Sequence, residues 1–252
     1  MPRQSRGHRA LDARAWWERA PELLEQIECE IAVHPLLRLH WGADGPIIKG
    51  QLLLDQSGVV FDRYGVRIIF PKNYPDDLPI VYETQDRIPR IEERHVNKRG
   101  DACLMIPEDW QLNENDRSFH AFIMGPVRNF FLSQTYFEEH GCFPFGERPH
   151  GLKGLIQAYS EHLGVDPDLG TIRAWLACLT PGKMKGHWTC PCGSRERLRD
   201  CCSDRIANLR QRIPPSLAAS MRYRLQEHVR AEQRVPNVIE KQCRVIQRSV
   251  TK

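Results

Sequence analysis

Between His187 and Ser203 the chain reads HWTCPCGSRERLRDCCS, which places cysteines as Cys190-x-Cys192, then eight residues, then Cys201-Cys202. Four thiolates in two tight pairs are a ligand set for a tetrahedral, soft-donor site, with Zn²⁺ as the expected ion, because a short closed loop brings each pair to one centre. The intervening GSRERLRD is too polar to form a core strand or helix alone. A bound ion would hold it in place, so that binding free energy becomes folding free energy. The competing reading of this cluster is a set of reactive or disulfide-forming thiols.

A second candidate is Cys103, in GDACLMIPEDW, with polar residues before it and apolar residues after it. A cysteine at the edge of such a shelf can be partly buried and still reachable, as a nucleophilic thiol must be. A lone loop cysteine is more often a packing residue. His95 and Asn97, eight and six residues upstream, strengthen the catalytic reading. Asp101 and Glu108 flank the cysteine. No protease-like Cys-His-Asn arrangement with an oxyanion segment is recognisable.

The elements that must position these residues follow from periodicity. Leu11, Trp16, Leu23, Leu24, Ile27 and Ile31 recur at helical spacing, which predicts a helix over 11–31. Short apolar runs at 36–41, 50–55, 59–70 and 80–84 read as strands separated by turn residues. Strands this close in sequence cannot be joined by crossover helices, so an antiparallel meander is expected. An irregular stretch, 85–118, holds the candidate nucleophile; an ordered loop of that length is usually functional. Helices are expected over about 119–140, with Gly125-Pro126 as a kink, and near 151–163 and 168–178. The fold class is α+β.

Composition narrows the function classes. The chain has 252 residues, 41% of them hydrophobic, enough for one ordinary domain and a small appendage, with no apolar run long enough to span a membrane. The opening MPRQSRGHRALDARAWW has no apolar core of a secretory signal, and nine cysteines is an odd number, so a reducing cytoplasm is the expected location. Net charge is +4, and from Ser203 onward eleven Lys/Arg face four Asp/Glu. Leu217, Met221, Leu225 and Val229 give that basic tail one apolar stripe, and it lacks the interleaved aromatics used to stack bases. A solvated helical face is the favoured reading, and nucleic acid is not an expected partner.

The cysteine block resembles the SEC-C zinc motif, C-x-C-x8-C-[CH], including Gly193-Ser194 after the second cysteine. Modules of that kind mostly dock onto other proteins. Upstream, Pro71-x-x-Tyr74-Pro75-x-x-x-Pro79, then His95-Val96-Asn97, Gly100, Cys103-Leu104 and Trp110, resemble the core of ubiquitin-conjugating (E2) enzymes over about residues 11–140. Val96 replaces the usual proline of the HPN motif, and the interval from His95 to Cys103 is shorter than in eukaryotic members. The following Gly141-Cys142-Phe143-Pro144, Gly146-Glu147 and His150-Gly151 resemble bacterial E2-like proteins, among them the stand-alone type of CBASS anti-phage systems.

The resemblance implies that Cys103 carries a partner's C-terminus as a thioester and passes it to a lysine amine. Asn97 would serve the oxyanion or brace its loop, His95 would pin the loop, and Asp101 and Glu108 would either ease the approach of a lysine or simply be solvated. It implies the C-terminus of a cGAS-like nucleotidyltransferase as cargo, and a lysine-bearing target. The expected organisation is an E2-like domain over 1–165, a helix and hinge (166–186, with Pro181-Gly182-Lys183), the zinc module (187–203) and a basic helical tail (204–252). Two alternatives stand beside it: a catalytically silent E2-like adaptor recruiting through the zinc module, and a nucleic-acid-associated protein.

Overall fold

The computed structural model describes residues 14–144 and 149–250, with side chains of the last helix described as far as Gln233. In chain order it has α1 (Trp16–Arg19), α2 (Pro21–Ala32), β1 (Leu37–Gly42), β2 (Gly45–Gln56), β3 (Val59–Ile69) and β4 (Ile80–Glu83). Then follow α3 (Pro107–Asn113), α4 (Phe119–Phe122), α5 (Arg128–His140), α6 (Gly151–Leu163), α7 (Leu169–Leu179), α8 (Ser203–Arg212) and α9 (Pro215–Val250). They fall into two compact units. The first is 1–104 with 116–144, and the second is 105–115 with 145–252.

The first unit is built on the expected meander, a four-stranded antiparallel sheet in the order β1-β2-β3-β4. Its inward residues alternate: Ile48, Leu52 and Leu54 on β2 and Tyr64, Val66 and Ile68 on β3 are buried, as period-two patterning requires. Phe131 of α5 lies on Tyr64 with ring centroids 4.7 Å apart. The helix expected over 11–31 is two helices, because Pro21 takes the first position of α2 and starts it afresh; Leu11 lies outside the described residues. Trp16 of α1 is buried against Phe70 and Tyr74 at 5.6 and 4.9 Å. The second strand starts earlier than the run at 50–55, since Gly45–Ile48 pair with the end of β1. Gly50 has φ +141°, and a Cβ there would meet the Leu36 carbonyl oxygen at 1.9 Å, so this crossing of chain and strand admits only glycine. Gly125-Pro126 falls in a π-helical turn joining α4 to α5, which accommodates the proline's missing N–H.

The second unit is helical. Its core takes Leu155, Tyr159 and Leu163 from α6, Trp175 and Leu176 from α7, and Leu198, Ile206, Leu217, Met221 and Leu225 from the segments after them. The stripe expected on the basic tail is this core's seam: Leu217, Met221 and Leu225 are buried and Val229 packs beside them. Thus α6, read from sequence as part of a domain ending at residue 165, belongs to the helical unit, which also takes in residues 105–115.

Candidate functional site

The segment before the candidate nucleophile folds into a tight hairpin. Asn97 N–H donates to the Asp101 carbonyl at 2.9 Å, Gly100 N–H to the Asn97 carbonyl at 2.7 Å, and Cys103 N–H to the His95 carbonyl at 2.8 Å. Gly100 turns the chain with φ +86°, the left-handed region glycine enters without strain. The hairpin then joins the sheet: Ala102 N–H donates to the Val81 carbonyl at 2.7 Å, and Asp101 pairs with Tyr82 of β4. The spacing of His95 and Asn97 to Cys103 is therefore that of two strands of one hairpin, with Cys103 opposite His95.

Buried polar contacts fix the foot of this hairpin. Arg94 is buried; its Nε donates to Gln134 Oε1 at 2.9 Å, and Gln134 Nε2 donates to the Arg94 carbonyl at 2.9 Å. The Arg94 guanidinium lies 4.3 Å from the Phe137 ring centroid. His95 takes a left-handed conformation, φ 52°, and its ring meets Phe143 edge-on at 4.9 Å. His95 is thus held in the loop by backbone hydrogen bonds and ring packing.

Cys103 is an exposed residue, although protein atoms crowd its thiol. Desolvation by those atoms, and then the negative charge of Asp101, push the thiol above its ordinary range. Asn97 Nδ2 donates to Asp101 Oδ2 at 2.7 Å, so this amide braces the hairpin. Glu108, read as a solvated or lysine-steering neighbour of the cysteine, is neither. It is 1% exposed within the helical unit, where Arg224 Nε donates to its Oε1 at 2.9 Å. Its neighbour Asp109 pairs with His162 Nε2 at 2.6 Å, and Trp110 is buried.

The second centre lies at the entry to α8. Thr189 pairs with Arg197, Cys190 N–H donates to the Glu196 carbonyl at 2.9 Å, and Leu198 N–H donates to the Trp188 carbonyl at 2.7 Å. This small hairpin turns at Gly193, φ +87°, and presents Cys190 and Cys192; Cys201 and Cys202 lead into α8. The four Sγ atoms all lie within 4.8 Å of one another. Neighbouring pairs are 3.3 Å (Cys190–Cys192), 3.5 Å (Cys192–Cys201) and 3.7 Å (Cys201–Cys202) apart. A tetrahedral ion with metal–sulfur bonds of about 2.3 Å has edges of about 3.8 Å, so these residues fit such an ion. Hydrogen bonds from the Ser194 side chain and backbone pull the Cys192 thiol down to about 6. Burial, and then the neighbouring thiols, push Cys202 well above its usual range. A thiolate beside thiols that resist ionising is the arrangement a cation relieves.

The sequence reading identified both cysteine sets, with Ser194 in the motif of the second, but not Arg94 or Gln134. Gln134 carried a faint signal, a polar residue on the apolar face of α5 beside Phe130 and Phe131. Among the described residues no helix is long and apolar enough to cross a membrane. Comparison with protein-family models, curated proteins and solved structures gives no match.

Proposed function

We propose that the chain is an E2-like acyl carrier, with Cys103 as the nucleophile. The observation that carries this reading is an exposed cysteine residue at the end of a hairpin that also contains His95 and Asn97 and is annealed to the edge of an antiparallel meander. In the first step the Cys103 sulfur attacks the activated C-terminal carbonyl of a partner. A C–S bond forms as the bond to the donor's leaving group breaks, and the thiol proton departs with that group. In the second step an uncharged lysine amine attacks the thioester, a C–N bond forms, the C–S bond breaks, and the amine proton returns to sulfur.

The electrostatics suit a carrier. Desolvation and Asp101 disfavour the thiolate, but neither penalises an uncharged thioester. Asn97 holds the hairpin through Asp101. In line with the resemblance to CBASS proteins, the cargo is the C-terminus of a cGAS-like nucleotidyltransferase and the acceptor is a lysine of a target protein. The Cys190, Cys192, Cys201, Cys202 centre holds Zn²⁺ and serves as a protein-docking module. The raised Cys103 thiol also suits the second reading, a silent adaptor, since a protonated thiol is a poor nucleophile.

The test offers the protein a peptide with a C-terminal thioester and reads intact mass without reductant. Acylation that disappears in Cys103→Ala and persists in Cys142→Ala is the expected result. Acylation surviving Cys103→Ala, or none on the wild-type chain with any thioester donor including the nucleotidyltransferase C-terminus, leaves the adaptor.

A further inference from the structure

On the outward side of the sheet, basic side chains stand in one cross-strand row. Arg38 of β1 is directly opposite Lys49 of β2, Lys49 is opposite Arg67 of β3, and Arg67 is opposite Tyr82 of β4. Directly opposed residues project to the same side, from strands about 4.8 Å apart. Like charges placed this way destabilise a ladder. A neighbouring acid would relieve them, yet among the described residues no carboxylate pairs with Lys49 or Arg67. Arg67 instead lies over the Tyr82 ring, 4.5 Å from its centroid. Arg38 donates to the carbonyls of Pro35 and Leu37.

Two further observations point to a ligand. Lys49, Gln51, Arg67, Thr84, Gln85 and Leu36 line a groove of about 600 Å³. In it, Arg67 Nε and Gln51 Oε1 are shielded from solvent without a hydrogen-bond partner. An unmet donor and an unmet acceptor are each costly, and a ligand carrying both complementary groups would satisfy them. The adjacent row on the same face is largely apolar: His40, Ile47, Ile69 and Ile80 are directly opposed, and Ile80 is 40% exposed.

We propose that this face docks an acidic peptide segment of a partner protein, one that alternates carboxylate and apolar side chains. Its carboxylates pair with Lys49 and Arg67, a backbone N–H meets Gln51 Oε1, and its apolar side chains cover the isoleucine row. A nucleic-acid or free phosphate ligand fits less well, since phosphates accept hydrogen bonds only and offer nothing to the isoleucines. The surface is independent of Cys103 chemistry and stands if the acyl-carrier reading falls.

The experiment is fluorescence anisotropy of the full chain with a labelled dodecapeptide of alternating Glu and Leu, against a version with Gln in place of Glu. Expected are saturable binding of the acidic peptide, affinity that falls with salt, and loss of roughly tenfold or more in Lys49→Glu and in Arg67→Glu. Cys103→Ala should bind as the wild type does. Lys49→Gln, which removes the charge without adding another, covers the case in which a reversal variant fails to fold. Equal binding of the Glu and Gln peptides, unchanged affinity in the Lys49 variants, or tighter capture of single-stranded RNA or tripolyphosphate at this face would each overturn the proposal.

Discussion

Arg94 and Gln134 close a reciprocal pair: the guanidinium Nε donates to the amide oxygen at 2.9 Å, and the amide nitrogen donates to the Arg94 carbonyl at 2.9 Å. Gln134 is completely buried, so neither group has water as a substitute. The pair joins α5 to the residue before His95 and so sets where the Cys103 hairpin begins. Gln134→Leu should strand the arginine and its carbonyl and cost about 2–3 kcal/mol in urea unfolding. Amide exchange at residues 94–96 should quicken with it. A variant as stable as the wild type, with unchanged exchange there, would show that the pair does not set the hairpin.

The Cys103 thiol is raised by desolvation and by Asp101, which gives its reactivity a pH dependence of definite sign. A raised thiol has less thiolate at neutral pH, so alkylation by iodoacetamide should be slow at pH 7 and climb at a pH above that of a free cysteine, near ~8.5. Asp101→Asn removes the negative charge, so the midpoint should move down and the rate at pH 7 should rise by roughly threefold. The amide can still accept from Asn97, so the hairpin should persist. A midpoint that stays put or moves up in Asp101→Asn would mean that the carboxylate does not act on the thiol.

Arg87 lies between two carboxylates, 2.7 Å from Asp62 and 2.7 Å from Glu138, with its guanidinium 4.2 Å from the Tyr64 ring centroid. Burial alone would raise Asp62, but hydrogen bonds from Arg87 and Thr135 outweigh it and hold the carboxyl below its usual range. A carboxyl lowered on folding contributes stability above its unfolded value, near ~3.9, and loses it as pH falls through the lower folded value. Arg87→Leu should cost about 1–2 kcal/mol at pH 7, water screening keeping it modest, and should shift acid unfolding to higher pH. Circular dichroism against pH measures both. An unshifted acid midpoint would count against this account.

What the sequence revealed depended on how local the determinant was. The meander was legible because the apolar runs at 36–41, 50–55, 59–70 and 80–84 are separated by turn residues and lie too close for crossover helices, and the cysteine cluster because all four fall within thirteen residues, Cys190 to Cys202. The tail's seam was legible from a four-residue period alone. Helix α3 was not: PEDWQLN begins with a good helix-starting proline but is too short for a periodic signal, and its Glu108 is buried only because Arg224 reaches it from 116 positions away. Asn97 was read as an oxyanion donor or a brace, and only coordinates bring its amide to Asp101. The basic row is likewise silent in the sequence, since Arg38, Lys49 and Arg67 align only once strand register is fixed.

Cys190 is the thiol whose loss should be most informative at the four-cysteine cluster. It is 3% exposed and belongs to the same core as Leu198 and Trp175, whereas Cys192 and Cys201 are exposed. A metal bound there would tie the polar 193–200 loop to that core, so removing it should loosen the helical unit. Freshly reduced protein should carry about one zinc per chain, and Co²⁺ substitution should give the charge-transfer absorption of a four-thiolate site. Cys190→Ser should abolish both and lower Tm by several degrees, because the buried hydroxyl replaces a ligand whose binding energy is folding energy. Cys178 is also buried in this core but is not one of the four clustered thiols, so Cys178→Ala should keep its zinc. Full metal content in Cys190→Ser, or none in the wild-type chain, would mean that the thiols gather for another reason.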